Sequence, residues 1–309
     1  MDIQRPDPLR IRRITESIIG LPTLPTVVSK MIELVDNPKT SAGSLARLIS
    51  ADQSLTAKML KMANSAYYGF PREISTVNMA IVVMGFNAVR DMGLSLSVFD
   101  VFKEAQGSRN FDVTRFWEHS IACGVAAKVL GRRYHHRFSG EAFVAGLLHD
   151  IGKVVLNQYM HKEFLDIMNR VQRGQPLDEA EVEVVGVGHG EIGGWLADKW
   201  RLPFVISESI RFHHAPWGAV RNPALVAIVS IANYLCHRSA LGNSGRQTPL
   251  VPSEQTWKIF SDNNIGIEES DLDNIQTEFL LELDRNDTFM AFMRADEQQM
   301  MDDELMNKR

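Results

Sequence analysis

The amino-acid sequence predicts an all-α protein. Apolar residues recur at three- and four-residue intervals along almost the whole chain, the spacing that places them on one face of a helix. No segment alternates apolar and polar residues with a period of two, so strands are not predicted. The 309 residues, 45% of them apolar, can form one large helical domain or two smaller ones, each with its own core.

Apolar stripes and breaker residues define the predicted helices in order along the chain. Their ranges are 21–35, 41–49, 50–63, 77–84, 88–102, 114–130, 141–148, 153–173, 178–186, 190–200, 204–213, 223–238, 253–262 and 269–284. The tail beyond residue 286 is expected to be helical to about Met300.

Residues at the predicted helix ends justify these boundaries. Ser50 and Gln53 resemble a capping box that opens the third helix, and Thr114 can cap the sixth. Gly131 is expected to end that sixth helix, since glycine is a frequent C-terminal stop. Pro203 and Pro216 separate later helices because proline interrupts a helix interior.

Two loop-like segments suggest how the chain is divided. Residues 104–110 offer almost no apolar anchor, and residues 241–248 are rich in Gly, Ser and Asn. We therefore predict an N-terminal helical subdomain over 1–108, a second helical subdomain over 109–250, and a C-terminal helical extension over 251–309.

Charge and cysteine content exclude several classes of protein. A net charge of −5 argues against a dedicated nucleic-acid binder, which normally carries a basic excess. Cys123 and Cys236 are 113 residues apart in apolar helical stretches and are predicted to be reduced and buried. The N-terminus lacks the apolar region of a signal peptide, and the best apolar stretch, 224–236, is too short to cross a bilayer. These features predict a cytoplasmic protein without a membrane partner.

The placement of histidines is the most informative chemical feature. Five of the nine occur in an ordered series with an adjacent carboxylate and cation: His119, His149, Asp150, Lys153, His189, His213 and His214. Imidazole and carboxylate groups together are typical ligands of transition metals. The other four, His135, His136, His161 and His237, lie in a basic loop or near helix ends, where surface positions are expected.

Each histidine taken singly has a simpler explanation. A lone histidine is more often a hydrogen-bonded core or surface residue than a metal ligand. Adjacent helical residues such as His213 and His214 point about 100° apart, which alone favours a structural role for that pair. The combined series, with His149 and Asp150 together at the end of an apolar helix, favours a metal site.

Several motifs resemble known families. The motif LLHDIGK at 147–153, with His119 upstream and the pair at 213–214 downstream, resembles the HD superfamily of metal-dependent phosphohydrolases. In the first half, LPTLPTVVSKMIELV and SADQSLTAKMLKMANSAYYGFPREISTVNMAIVVMGFNAVRDM are similar to the HDOD family, the HD-related output domains of bacterial signalling. HGEIGGWLADKWRLPFVISESIRFHH also matches that family, and the resemblance covers about residues 15–240.

The resemblance implies a fold, a function and a set of site residues. It implies a multi-helical HD-like domain preceded by an N-terminal helical subdomain. It places six residues on metal-ligand positions of the related HD-GYP phosphodiesterases: His119, His149, Asp150, His189, His213 and His214. Asp150 would be shared between two ions, and Lys153 would lie beside a substrate phosphate. Many HDOD domains have lost such ligands and act as non-catalytic regulatory modules.

Two departures from the enzymes count against catalysis. Asn233 stands where the last HD aspartate is expected, and an amide brings no charge to a metal. HHAPWG replaces the stretch typical of HD-GYP enzymes, so recognition of cyclic di-GMP is not predicted. Two divalent ions against one carboxylate would also need a further anion.

These observations lead to one leading function and one alternative. The leading prediction is a non-catalytic regulatory module that binds signalling proteins in trans and holds one or two ions of Fe, Mn, Zn or Ni, which a nitrogen-rich shell favours. The alternative is a metal-dependent phosphohydrolase or phosphodiesterase, in which Asp150 and Lys153 would be the catalytic residues.

Overall fold

The computed structural model describes residues 25–35, 41–64, 73–102, 111–134 and 139–284. Over these ranges the protein is helical and contains no β-sheet, which confirms the predicted all-α class. Within the same ranges, no helix combines the length and apolar character needed to cross a membrane.

The helices are numbered here in chain order. They are α1 (Thr26–Val35), α2 (Ala42–Ser50), α3 (Gln53–Ala63), α4 (Val77–Met84), α5 (Phe86–Phe102), α6 (Val113–Tyr134), α7 (Ser139–Leu148), α8 (Ile151–Tyr159), α9 (His161–Gln172), α10 (Leu177–Val185), α11 (His189–Lys199), α12 (Phe204–Phe212), α13 (Pro223–Arg238), α14 (Glu254–Asp262) and α15 (Leu272–Asp284). Short 3₁₀ turns at Pro216–Gly218 and Glu269–Asp271 precede α13 and α15.

The described chain forms two units of packing. The larger unit comprises residues 101–276, and the smaller unit comprises residues 25–100 together with 277–284. The subdomain boundaries predicted at residues 108 and 250 stay predictions.

In the smaller unit, apolar side chains from α1 to α5 form the core. Helix α2 packs against α1, α3 and α4, and its buried face is Leu45, Ala46 and Ile49. Two methionines, Met31 and Met59, are fully buried there.

In the larger unit, α6 and α7 form the main helix pair, and α13 packs across both. Helix α11 packs against α8 and α12. Cys123 and Cys236 are buried free thiols in α6 and α13, as the apolar context predicts.

Several predicted boundaries were wrong, each for a local reason. The third helix begins at Gln53 because Asp52, not Ser50, caps it by accepting a hydrogen bond from the Leu55 amide at 2.9 Å. Helix α6 begins at Val113 rather than Thr114, and it continues past Gly131, since a glycine without a following turn does not end a helix.

The predicted single helix over 153–173 is two helices that meet at Met160. The first of them, α8, begins at Ile151, directly after Asp150. The linker-like segment 104–110, His135, His136 and the tail beyond residue 284 lie outside the described residues.

Candidate metal centre

The predicted site residues lie in the larger unit, mostly at the ends of helices. His119 lies in the middle of α6, and His149 and Asp150 follow the end of α7. His189 is the first residue of α11, while His213 and His214 follow the end of α12. His213 keeps a helical backbone at the C-cap of α12, yet the ring centroids of His213 and His214 lie 3.9 Å apart, so both rings can act together.

Asp150 is the centre of the group. Its Oδ1 atom lies 3.1 Å from Nε2 of His189 and 3.4 Å from Nε2 of His213. Its Oδ2 atom accepts a hydrogen bond from Nζ of Lys153 at 2.7 Å and lies 3.3 Å from Nε2 of His149. The Asp150 side chain is completely buried.

The structure brings all six predicted ligand residues together in two overlapping groups. Within each group the candidate ligand atoms lie within 4.8 Å of one another: Asp150, His189, His213 and His214 in one, and His119, His149 and Asp150 in the other. Asp150 belongs to both, so the arrangement offers two sets of candidate ligand atoms that share this carboxylate.

Hydrogen bonds at Nδ1 orient three of the imidazoles. His149 Nδ1 lies 2.7 Å from the Gly146 carbonyl, and His213 Nδ1 lies 2.8 Å from the Ile210 carbonyl. His189 Nδ1 lies 2.7 Å from a carboxylate oxygen of Glu181. In a neutral imidazole an oxygen acceptor at Nδ1 places the ring proton there, so Nε2 is the nitrogen available to a metal at the centre in each case.

Glu181 is a functional residue that the sequence did not reveal. It lies in α10, is fully buried, and accepts hydrogen bonds from both the ring and the backbone amide of His189. A turn separates α10 from α11, so the interval of eight residues to His189 carries no helical periodicity. The acidic run around Glu181 resembles an ordinary solvent-facing surface in the sequence.

Several buried acceptor atoms face one another without a donor. Asp150 Oδ1 and His149 Nε2 are buried with no hydrogen-bond partner. Nε2 of His189 lies 3.3 Å from Nε2 of His213 and 3.2 Å from Nε2 of His214. Facing lone pairs repel, and a buried polar atom without a partner costs roughly 1–3 kcal/mol. A cation among these atoms, either a proton or a metal ion, removes both penalties, so the donor set fits a metal.

His119 and Asn233 occupy the opposite side of the centre. His119 Nε2 lies 3.0 Å from Oδ1 of Asn233, and its Nδ1 lies 3.3 Å from the Leu241 carbonyl. A neutral imidazole carries one ring proton, so only one of these contacts is a hydrogen bond and the other nitrogen remains a possible ligand. Asn233 thus contacts a predicted metal ligand, His119, and its correspondence to the aspartate of HD enzymes stays a prediction.

His237 was wrongly predicted to lie at the surface. It is half-buried, and its ring centroid lies 4.6 Å from that of His119. Its Nε2 lies 3.2 Å from the Ser244 hydroxyl. His237 follows Asn233 by four residues in α13, so helical spacing puts both on one face. The same spacing, applied to the sequence, identifies His237.

His161, also predicted at the surface, is half-buried at the start of α9, where its Nδ1 lies 3.0 Å from the Asn157 carbonyl. It is not among the residues of the centre.

The electrostatics divide the histidines into neutral and charged groups. Burial lowers the pKa of His213 to about 3, and it also lowers the pKa of His119 and of His214 well below the usual range. Burial, followed by the charge of Lys153, lowers the pKa of His237 to about 4. These four imidazoles are therefore neutral at neutral pH.

His149 and His189 behave differently. Burial opposes their protonation, but Asp150 beside His149 outweighs it and raises that pKa to about 10. Glu181 in the same way raises the pKa of His189. Burial also opposes ionisation of Asp150, but His149 and Lys153 hold its pKa well below the usual value. Without a metal, the centre therefore holds protons where a metal would otherwise supply positive charge.

Comparison with known proteins places this geometry in a family. A model of the HDOD domain matches residues 21–216, more than half of the chain. An uncharacterised protein of Treponema pallidum (strain Nichols) is 27% identical over 224 residues, which are 71% of this chain and 43% of the relative. The chain thus spans less than half the length of that curated relative.

Three solved structures share the fold. An HDOD domain protein of unknown function from Geobacter sulfurreducens is 28% identical, with a TM-score of 0.72 over 88% of this chain and 97% of that one. A putative signal transduction protein from Marinobacter aquaeolei VT8 is 21% identical, with a TM-score of 0.75 over 94% of this chain and 67% of that one. A putative phosphohydrolase from Shewanella amazonensis SB2B is 21% identical, with a TM-score of 0.69 over 91% of this chain and 98% of that one. The matched family model, the likeness to these structures and the His/Asp cluster agree, and the chain belongs to the HDOD family.

Proposed function

We propose that this protein is a regulatory HDOD module whose HD-type centre binds one or two divalent transition-metal ions. The observation that carries this proposal is the set of buried acceptor atoms around Asp150 that face one another without donors. A buried arrangement of this kind is destabilising in a purely structural core, and a bound cation stabilises it.

The donor set indicates which ions it would hold. His189, His213, His214 and Asp150 would bind one ion, and His119, His149 and Asp150 a second. Five imidazoles and one carboxylate favour Fe, Mn, Zn or Ni over Mg or Ca, which prefer oxygen ligands.

Low negative charge at the centre favours regulation over hydrolysis. Asp150 is the one carboxylate in the two ligand groups, and Asn233 contacts His119 without adding charge. A metal pair there is left strongly positive and would retain an anion rather than release it between turnovers. We propose that the centre acts by binding, and that signalling proteins in trans respond to its state. The structural likeness to a protein named as a putative signal transduction protein agrees with this role.

The test is the metal content of the purified full-length chain, measured by elemental analysis, in the unmodified protein and in two variants. Asp150→Asn removes the shared charge and is expected to weaken metal binding more than about 100-fold, beyond the effect typical of residues that only orient a ligand. Asp166→Asn, a partly exposed carboxylate paired with Arg170 in α9, is the matched control and should bind metal normally. Sub-stoichiometric metal in the unmodified protein, after growth with each candidate metal, would contradict the proposal.

One observation favours a second function, hydrolysis of phosphate esters. Lys153 is 2% exposed at its side chain and donates to Asp150 at 2.7 Å, so a buried cation lies beside the shared carboxylate. Metal ions there would activate water and polarise a phosphoryl oxygen. A phosphatase and cyclic-dinucleotide screen with Mn- or Fe-loaded protein tests this function. Turnover that Asp150→Asn abolishes and Asp166→Asn preserves would replace the regulatory proposal with this one.

A further inference from the structure

The segment Leu241–Pro249, which follows α13, folds back onto the centre. The backbone amide of Asn243 donates to the Arg115 carbonyl in α6 at 2.8 Å, one turn before His119. At Gly242, with φ +64°, a Cβ atom would lie 2.3 Å from both the Arg115 carbonyl oxygen and the His119 amide nitrogen. The segment is therefore held in direct contact with the backbone of a predicted ligand, although it lies beyond the residues that the family model matches.

A cavity of about 310 Å³ lies between this segment, the end of α13 and helix α9. Leu241, Gly242 and His237 line it, and each of them also adjoins His119. The cavity and the metal centre are thus separated by a wall one residue thick. Its volume is at the lower end of the range for small-molecule sites.

Arg246 gives the cavity a charged group with unused donor capacity. Its side chain is only 6% exposed, and its Nη2 atom pairs with the Asp178 carboxylate at the start of α10. Its Nε atom is buried without a hydrogen-bond partner. A guanidinium normally uses adjacent N–H groups as a fork, and a donor left unpaired in a buried position is costly.

The remaining lining residues suit a ligand with one ionic end. Gln172, Asn243 and Gln247 are exposed and lie at the mouth, where they offer amide groups. Met168 and Pro249 offer apolar surface. Arg246 also lines the cavity, and the planar guanidinium of an arginine binds the oxygens of a phosphate through neighbouring N–H groups.

We infer that this cavity binds a small phosphomonoester, with its phosphate at the guanidinium of Arg246 and its organic part between α9 and the Leu241–Pro249 segment. The binding is inferred from the cavity and does not depend on the proposed function. Its use as a signal rests on the regulatory function proposed above, since an anion there lies one residue from His119 and can alter the metal centre through that wall.

The experiment is calorimetric titration of the full-length chain with phenyl phosphate, after removal of metal with EDTA. Arg246→Met keeps most of the side-chain volume and removes the charged donors. It is expected to weaken binding at least about tenfold, the usual effect of losing a hydrogen bond to a charged group. Arg238→Met is the matched control, since Arg238 also pairs with one aspartate, Asp273, but does not line the cavity, and binding should be unchanged.

A second pair of variants separates binding from a merely structural ion pair. Asp178→Asn breaks the pair with Asp178 but keeps the guanidinium, so phenyl phosphate should bind as tightly as to the unmodified protein, or more tightly. Gln172→Trp narrows the mouth and should weaken binding without changing the metal content, which keeps the inference testable if Arg246→Met does not fold. Unchanged binding in both Arg246→Met and Gln172→Trp would overturn the inference.

A third measurement distinguishes this inference from the proposed function. Binding that persists in metal-free protein and in Asp150→Asn, but not in Arg246→Met, supports the cavity whether or not the centre holds metal. Binding that disappears with the metal and survives Arg246→Met would place the phosphate on the metal ions, which overturns the inference and leaves the proposed function intact.

Discussion

The two units of the protein bury polar groups in opposite ways. In the described part of the smaller unit the buried polar residues, Arg90, Asp91, Ser95 and Ser97, all belong to α5. In the larger unit the buried polar residues include the predicted ligands and their neighbours: His119, His149, Asp150, Lys153, Glu181, His189, His213 and Asn233.

The difference lies in how completely those groups are satisfied. In the smaller unit Arg90 donates to Asp91 from Nε at 2.9 Å and from Nη2 at 2.7 Å, so this buried carboxylate has its donors. In the larger unit Asp150 Oδ1 and His149 Nε2 have no donor. The smaller unit therefore resembles an ordinary stable core, whereas the centre in the larger unit needs a cation, either protons or a metal ion, to satisfy its buried atoms. Incomplete pairing in a buried cluster is thus the sign of a binding site.

The largest expected effect comes from a pair of glycine-to-alanine substitutions, one in each unit. In Gly152→Ala the new Cβ would lie 2.0 Å from the His189 carbonyl oxygen and 2.8 Å from the Gly193 amide nitrogen, so α8 and α11 must separate. We expect the free energy of unfolding to fall by about 3 kcal/mol, with loss of metal, because backbone atoms cannot yield as a side chain can. Urea unfolding and elemental analysis measure the two effects.

Gly43→Ala is the matched substitution in the smaller unit. A Cβ there meets nothing closer than 3.8 Å, and the residue lies within α2. We expect the free energy of unfolding to rise by about 0.5–1 kcal/mol, because alanine restricts the unfolded chain and favours a helix. Equal destabilisation by both substitutions would contradict the difference between the units.

The next effect concerns two glutamates of α10. Glu181→Gln replaces the carboxylate that orients His189 with a neutral amide, and we expect metal affinity to fall by about 10–100-fold. Glu183→Gln, two residues later, changes a glutamate whose side chain is 57% exposed and which pairs with Arg170. It should leave metal affinity unchanged in a competition titration with a chromogenic chelator. A comparable loss in both variants would mean that overall charge, rather than orientation of His189, sets the affinity.

The stability of the metal-free protein should depend on pH with a maximum near pH 6.5. Below that pH the unfolded chain protonates His213 and His237, whereas the folded chain keeps them neutral down to about pH 3 and 4. Stability is therefore lost as pH falls, by about 1.4 kcal/mol per pH unit for each excess proton on the unfolded chain.

Above pH 6.5 the folded chain holds protons that the unfolded chain has released, on His149 up to about pH 10 and on His189. Stability is therefore lost as pH rises as well. Thermal unfolding of EDTA-treated protein from pH 4.5 to 9 measures the loss of stability on both sides, the acid limb below pH 6.5 and the alkaline limb above it. Metal binding displaces these protons, so the alkaline limb should disappear in the metal-loaded protein. A flat profile without metal would contradict the burial of these histidines.

The smallest expected effect is a gain in metal affinity. Asn233→Asp introduces a negative charge 3.0 Å from His119 Nε2, at the position where HD enzymes carry an aspartate. We expect metal affinity to rise by up to about tenfold, because the charge offsets part of the excess positive charge of the ions. The same competition titration measures it, and weaker binding in the variant would show that Asn233 is not the cause of the low negative charge at the centre.

Much of the fold and of the centre can be predicted from the sequence. Helical periodicity locates most elements, and α4 and α13 have the predicted bounds, because both begin after clear capping or proline signals. The ordered histidines predict the ligand set, and all of them except His119 lie beside a recognisable helix end. The break at Met160 carries no proline or glycine, so the division between α8 and α9 depends on packing and escapes periodicity.

The residues that were missed act through contacts between distant segments. Glu181 reaches His189 across a turn, and the Leu241 carbonyl reaches His119 from 122 residues along the chain. Arg246 resembles an ordinary loop residue until Asp178 and the cavity are seen around it. Such contacts have no signature in local spacing.

The packing of α13 across α6 and α7 has a consequence for how the family is delimited. The stretch recognisable by family likeness ends at residue 216, whereas α13 begins at Pro223 and supplies both Asn233 and His237. A fragment cut at the family boundary would lack this helix and expose His119 to water. In this protein the unit that folds therefore extends beyond the residues that the family model matches.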